Sequence, residues 1–290
     1  VKDDSLSKDA GRMFKRLFAK EFMRKYGHYP KIREGSFTVL ETQLLNNDPA
    51  ATSVATHLLV EWDRITFVKT FDLPESFNLS MIVADKAISP SRSELIKSIR
   101  NKKTVMDPDK RRGVKRWLED TTLKPKVFLQ EINDGIFDDD SKIIGLTPKE
   151  RELNPTPRMF SLMSHPLRVY VVVTEQMLSD HILKMFPQIT MTDSLLDLTK
   201  KMYATVRNQS SRVKRRNKTG QWVSRVVCMS LDFEKWNGHM RKDMTSGVFS
   251  SLGSLFGLPE LFNRTYDLFE ECYYYLADGS YTPKIDDSHL

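Results

Sequence analysis

The stretch VVCMSLDFEKWNGHMRKD, Val226 to Asp243, constrains the fold more than any other part of the chain. Val223 to Leu231 reads as a strand, and it runs straight into Asp232. A second carboxylate, Glu234, follows two residues on, with Trp236 and Asn237 behind it. A carboxylate buried at a strand end is costly unless it is paired or metal-bound. Two readings follow. Either the strand ends there and Asp232 caps the next element, or the strand holds a carboxylate for Mg²⁺. Magnesium favours one or two carboxylates plus substrate phosphates. In two-metal phosphoryl transfer such an Asp bridges the ions at the attacking and leaving oxygens. Downstream, Met240, Met244, Val248, Phe249, Leu252, Leu255 and Phe256 share one helical face. Gly257 and Pro259 separate it from a second amphipathic helix through Leu261, Phe262, Phe269 and Cys272. The expectation is a strand backed by packed helices, the stiff support a metal site requires.

The chain has 290 residues, 40% of them hydrophobic, enough for one large domain or two ordinary ones. A net charge of +7 suits a polyanionic partner, and equally a soluble basic protein. Cys228 and Cys272 lie in apolar or aromatic surroundings without metal-ligand spacing, and read as reduced core residues of an intracellular protein. No apolar run reaches transmembrane length and no signal peptide is visible, so no membrane insertion is expected. The first residue is Val1, which suggests a piece of something longer.

From the N-terminus, Met13, Phe14, Leu17, Phe18, Phe22 and Met23 recur at helical spacing within a helix expected over Asp9 to Tyr26. Gly27, Pro30 and Gly35 break it. Ile65 to Phe71 reads as a short strand. Ser91 to Ile99 reads as a helix, with Ser91 as N-cap and Glu94 completing a capping box. A basic run follows, from Lys97 through Lys102, Lys103, Arg111 and Arg112 to Arg116, suited to phosphate contacts or to a solvated face. The acidic turn DGIFDDD, Asp134 to Asp140, lacks the alternating ligands and terminal Glu of an EF-hand and reads as a surface loop.

Next, Lys149, Arg151, Arg158 and Arg168 stand among Pro148, Pro155, Pro157 and Pro166. The prolines forbid a continuous helix and hold the chain semi-extended. A stiff basic arm can grip triphosphate oxygens, Arg bidentately and Lys as a point charge. Leu167 to Val173, rich in β-branched residues, is expected to be a strand. A helix from Glu175 to Phe186, capped by Thr174 and ended by Pro187, should follow, then another over Asp193 to Val206. His181, beside an apolar face, reads as packed. Arg207 to Gln221 is a basic loop or hairpin tip closed by Thr219-Gly220.

Two long stretches in order, KERELNPTPRMFSLMSHPLRVYVVVTEQMLSDHILKMFPQITMTD and SLDFEKWNGHMRKD, resemble the large (L) polymerases of nonsegmented negative-strand RNA viruses, rhabdoviruses among them. NDGIFDDDSKIIGLTPKEREL fits the same proteins, and the resemblance is strongest from about Phe128 to Tyr275. It implies an α+β fold: helix-rich fingers and a partial palm of a right-hand RNA polymerase, truncated before the later palm motifs. Residues 1–127 would be an N-terminal helical and basic region, 128–222 fingers with the basic arm, and 223–290 the start of the palm. Lys149, Arg151 and Arg158 would face the phosphates of the incoming nucleoside triphosphate. Asp232 would be the catalytic, metal-binding Asp of the first palm motif, holding Mg²⁺ or Mn²⁺.

The implied partners are an RNA template, as nucleoprotein–RNA complex, and the viral phosphoprotein. The implied locations are host cytoplasm and virion, with the nucleus for some plant-infecting relatives. The family's second metal-binding Asp lies in a Gly-Asp-Asn turn, which this sequence does not contain. The resemblance therefore implies a piece that does not polymerise alone. Two other readings stay open. A DnaQ-like 3′–5′ exonuclease also ends a strand in Asp-X-Glu, but needs further acidic ligands and a general base downstream, where His289 is the last histidine. A non-catalytic RNA-binding module would explain the basic runs but not Asp-Phe-Glu at a strand end.

Overall fold

The computed structural model describes residues 4–34, 37–39, 65–78, 80–81, 87–101, 112–120, 122–149, 158–209, 214–216, 219–220, 222–224, 231 and 240–277. Helix and sheet are mixed, as expected for α+β. In chain order the elements are α1 (Asp4–Tyr26), β1 (Ile32–Glu34), β2 (Phe37–Val39), β3 (Ile65–Phe67), α2 (Arg92–Arg100), α3 (Gly113–Glu119), α4 (Pro125–Asn133), β4 (Ile143–Pro148), β5 (Met159–Met163), α5 (His165–Met177), α6 (Leu195–Gln209), β6 (Lys214–Arg216), β7 (Trp222–Ser224), α7 (Lys242–Phe256), α8 (Arg264–Glu270) and β8 (Tyr273–Leu276). They form two compact units, one from Val1–Leu178 with Lys242–Leu290, the other Ser179–Arg241.

In the first unit α1 packs along α7 at two glycines. A Cβ on Gly247 would stand 2.3 Å from the Ser7 carbonyl oxygen, and one on Gly11 would stand 3.0 Å from the Gly247 backbone. The helices are therefore in backbone contact, and the Gly247 N–H donates to Ser7 Oγ at 2.8 Å. The inner face of α1 buries Phe18, Ala19 and Phe22. Phe18 meets Phe67 of β3 edge-on at 5.0 Å, and Phe71 meets Phe256 of α7 at 5.5 Å. Tethers are added where the N–H groups of Thr70 and Phe71 both donate to the Leu255 carbonyl. The buried face of α7 is shorter than its periodicity predicts. Leu252, Leu255 and Phe256 are buried, while Met244, and Met240 just before the helix, are exposed.

Helix α7 ends in a Schellman turn. Gly257 has φ +77°, Leu258 N–H donates to Gly253 O, and Gly257 N–H donates to Ser254 O. A Cβ on Gly253 would stand 2.2 Å from the Leu258 carbonyl oxygen, so this turn needs two glycines. At α2 the expected capping box is present. Glu94 N–H donates to Ser91 Oγ at 3.3 Å, and Ser91 N–H to Glu94 Oε2 at 3.1 Å.

One expectation fails. Leu167 to Val173 is not a strand but the middle of helix α5, which also absorbs Thr174. The misleading signal was a short apolar run, whose periodicity cannot separate a buried strand from a buried helix. Leu167, Val169, Tyr170, Val172 and Val173 are all buried, so the helix is apolar nearly all round. Pro166 in the first turn, where no N–H is needed, was the contrary signal. Thr174 is no cap either: its hydroxyl donates to the Tyr170 carbonyl at 2.9 Å. Beyond Met177 the chain continues as a π turn (Leu178–Ile182), which holds His181, and a 3₁₀ turn (Leu183–Met185) before Pro187.

In the second unit, Ser194 Oγ accepts from Asp197 N–H at 3.1 Å and starts α6. Strands β6 and β7 pair antiparallel as a hairpin, with Gly220 at φ +81° in the connection. Of the stretch Arg207 to Gln221, read as a loop or hairpin tip, Arg207 to Gln209 instead end helix α6, and the hairpin alternative is the one that forms further on.

Candidate nucleotide-phosphate site

The basic arm is a β-hairpin. Strands β4 and β5 pair antiparallel from Ile144↔Met163 to Pro148↔Met159, and β8 joins β4 in parallel from Ile143↔Tyr273 to Leu146↔Leu276. The prolines allow this because of where they fall. Successive N–H groups along a strand point to opposite edges. Lys149 N–H donates towards β5, to the Arg158 carbonyl, at 2.8 Å. The N of Pro148 therefore faces the β8 side, where pairing has already ended at Leu146. Its missing donor costs nothing there.

Lys149 and Arg158, nine positions apart in sequence, thus face each other across the last rung of the ladder. Arg158 is exposed and Lys149 half-buried. The Lys149 ammonium stands 5.9 Å from the centre of the Phe160 ring. Such a contact favours the cation and limits where it can swing. Phe160 was not singled out by sequence reading; its signal is weak, an aromatic in the segment MFSLM. Arg151 lies outside the described residues, as do Asp232, Glu234, Trp236 and Asn237. Of the expected strand from Val223 to Leu231, the described part is Val223–Ser224 within β7, plus Leu231.

The acidic turn before β4 braces the hairpin. Asp138 accepts from Asp140 N–H at 3.1 Å and from the Ser141 hydroxyl at 2.8 Å, capping a 3₁₀ turn over Asp139–Ser141. Asp140 reaches the first turn of α2 and accepts from both the N–H and the hydroxyl of Ser93, each at 2.7 Å. Asp139 pairs with Lys142 at 2.8 Å, and Lys142 also pairs with Glu271. A polar cavity of about 220 Å³ beside this turn is lined by Glu94, Arg116, Asp120, Asp138 and Asp140 among others. Among the described residues no group of three His, Cys, Asp or Glu could hold a metal ion.

Partial burial opposes ionisation of Asp140, but the hydrogen bonds from Ser93 and Ser91 and the Arg92 charge outweigh it, and its pKa lies below the ordinary aspartate value. A depressed carboxylate stabilises the fold above its ordinary pKa of about 3.9 and loses that contribution as pH falls through the folded value. Asp140→Asn is therefore expected to lower the melting temperature by a few degrees at pH 7. The gap to wild type should narrow as pH falls below the ordinary aspartate value of about 3.9, as measured by thermal melting at pH 7 and at acid pH. An equal gap at both would show that the charge does not matter.

Burial pushes the Cys272 thiol up to about 11. It is a free, buried cysteine, in line with its reading as a reduced core residue; Cys228 lies outside the described residues. Among the described residues no helix is long and apolar enough to cross a membrane.

The Mononegavirales RNA dependent RNA polymerase family model matches residues 2–289. The chain is 54% identical over 286 residues to the RNA-directed RNA polymerase L of Lettuce necrotic yellows virus (isolate 318), covering 99% of this chain and 14% of that protein. It is 43% identical over 274 residues to the RNA-directed RNA polymerase L of Taro vein chlorosis virus, covering 93% of this chain and 14% of that protein. It is 38% identical over 220 residues to the Large structural protein of Australian bat lyssavirus, covering 76% of this chain and 10% of that protein. The chain thus spans 14% or less of the length of these relatives.

Proposed function

The chain belongs to the Mononegavirales RNA dependent RNA polymerase family, and from this we propose that it is a working part of a rhabdovirus-type L polymerase. Its task there is to hold the incoming nucleoside triphosphate and to supply a catalytic carboxylate for RNA-directed nucleotidyl transfer. Membership along residues 2–289 removes the motive for the exonuclease and for a free-standing RNA-binding module.

The observation that carries the phosphate role is the facing pair Lys149 and Arg158 at the open end of a sheet-anchored hairpin. Two cations held on one rung can engage neighbouring phosphate oxygens together, Arg through a planar fork and Lys through a mobile point charge. A hairpin stiffened on its inner side by β8 gives them a fixed origin. Arg151, in the connection between the strands, would add a third cation. Asp232 is the proposed carboxylate for Mg²⁺ or Mn²⁺, which when bound would supply Lewis-acid stabilisation of the phosphoryl oxygens.

On this reading residues 1–127 are the helical and basic lead-in, 128–222 the fingers with the arm, and 223–290 the start of the palm. The template is RNA, carried as nucleoprotein–RNA, with the viral phosphoprotein as partner. The setting is the host cytoplasm and the virion, or the nucleus for some plant viruses.

The test uses the full-length polymerase. Arg158→Ala and Lys149→Ala should each raise the apparent KM for nucleotides by roughly tenfold to a hundredfold, the worth of a charge-assisted hydrogen bond. RNA affinity should barely move. If Arg158 also follows the charge into the transition state, kcat falls with it. Unchanged KM with weakened RNA binding would reassign the hairpin to the template.

A further inference from the structure

We propose that Tyr275 is a positioning residue for nucleotide binding: its side chain straps the basic hairpin to β8 and so holds Lys149 and Arg158 in place. This rests on the phosphate role assigned to those two cations above. Strand β4 is the centre of its sheet, with β5 on one side and β8 on the other. Tyr275 on β8 stands directly opposite Gly145 on β4. A Cβ at position 145 would lie 2.8 Å from both Cζ and Oη of Tyr275. Gly145 does not have a positive φ, so what a side chain there would contest is the space held by this ring and by the Ala277 Cβ. The ring therefore crosses the central strand where a side chain is missing.

Past the strand, Tyr275 Oη lies 3.0 Å from Ser89 Oγ. The two hydroxyls are within hydrogen-bonding distance, and the Ser89 hydroxyl also lies 3.0 Å from the Pro90 carbonyl oxygen. Ser89 is anchored to the far edge of the sheet. Its N–H donates to the Met163 carbonyl of β5 at 2.8 Å, and it bridges to Ser164 next to that strand. It is only 3% exposed. One ring thus links β8, across β4, to the segment that holds the end of β5. The two hairpin strands run on from this tie to the cations. Lys149 is four residues beyond Gly145, about 13 Å at the usual strand rise. A cross-sheet tie at the base opposes twisting of the strands against one another, and any displacement there would carry Lys149 and Arg158 off together.

The experiment measures nucleotide incorporation by the full-length polymerase. Tyr275→Phe removes the hydroxyl and keeps the ring. It should raise the apparent KM for nucleotides about threefold to tenfold, with kcat within about twofold. Ser89→Ala should match it, and the double variant should be no worse than either single variant, because both remove one tie. Gly145→Ala displaces the ring without touching its hydroxyl and should give a similar rise. If Arg158→Ala leaves KM unchanged, the phosphate role itself fails. If Arg158→Ala raises KM while Tyr275→Phe and Gly145→Ala do not, the strap is overturned and the phosphate role stands. Additive effects of Tyr275→Phe and Ser89→Ala, or a lower melting temperature at unchanged KM, would likewise reduce Tyr275 to a structural residue.

Discussion

In the full-length polymerase, Asp232→Asn is expected to slow nucleotide incorporation on the order of a thousandfold or more, with RNA affinity nearly unchanged. The substitution keeps the size of the side chain and its hydrogen-bonding oxygen. It removes the negative charge, which is what a divalent cation needs from a carboxylate at a phosphoryl-transfer centre. On the proposed role the loss should fall on kcat, since a metal-holding carboxylate would act where phosphate oxygens gain charge in the transition state. Binding of RNA depends on backbone phosphates and cations elsewhere, so it serves as the control. Single-turnover incorporation with saturating nucleotide separates the chemical step from binding. Incorporation at the wild-type rate would end the role proposed for Asp232. Arg158→Ala, whose main effect is expected on KM, is the contrasting variant: the two proposed roles predict losses in different kinetic constants.

Gly247→Ala should be the most destabilising small substitution in the α1–α7 pair. The added methyl would begin 2.3 Å from the Ser7 carbonyl oxygen, a backbone atom that cannot rotate away. The helices must separate or tilt, which strips packing from Phe18 and its aromatic neighbours. Overpacking of this kind costs about 3 kcal/mol, offset by up to about 1 kcal/mol from the better helix propensity of alanine. The net corresponds to a melting temperature lower by roughly 5–8 °C. Gly11→Ala is the internal comparison. Its methyl would meet the Gly247 backbone at 3.0 Å, so a small shift relieves it and the loss should be about half as large. Equal melting temperatures for Gly247→Ala and wild type would mean that the helices are not held in backbone contact.

Local chemistry was legible from the sequence. The capping box at Ser91 and Glu94 spans only two intervening residues, and it formed as read. Helix α1 followed from its apolar spacing, starting a turn earlier than expected at Asp4. The stretch closed by Thr219-Gly220 was read as a loop or hairpin tip, and the pairing of β6 with β7 decided for the hairpin. Of the basic arm expected to be semi-extended among its prolines, the ends at Lys149 and Arg158 are extended, whereas Pro166 and Arg168 lie in helix α5; no proline named the partner strand. The acidic turn lies at the surface, as read, but its role was invisible. Asp140 finds Ser93, forty-seven residues earlier, and no pattern within DGIFDDD points there.

What the sequence determined by itself was the family, the residue types offered for phosphate and metal chemistry, and the places where the chain must turn or start a helix. These depend on side-chain identity and on a few neighbouring dihedral angles. Tertiary structure decided the rest. It made Leu167–Val173 helical, because burial on most sides suits β-branched residues in either state and only the neighbours choose. It also brought Gly145, Ser89 and Tyr275 together from three distant segments, and set Lys149 against Arg158 on one rung. Such contacts carry no local signal, because what fixes them is the pairing of strands and the shape of the core, which belong to the whole chain at once.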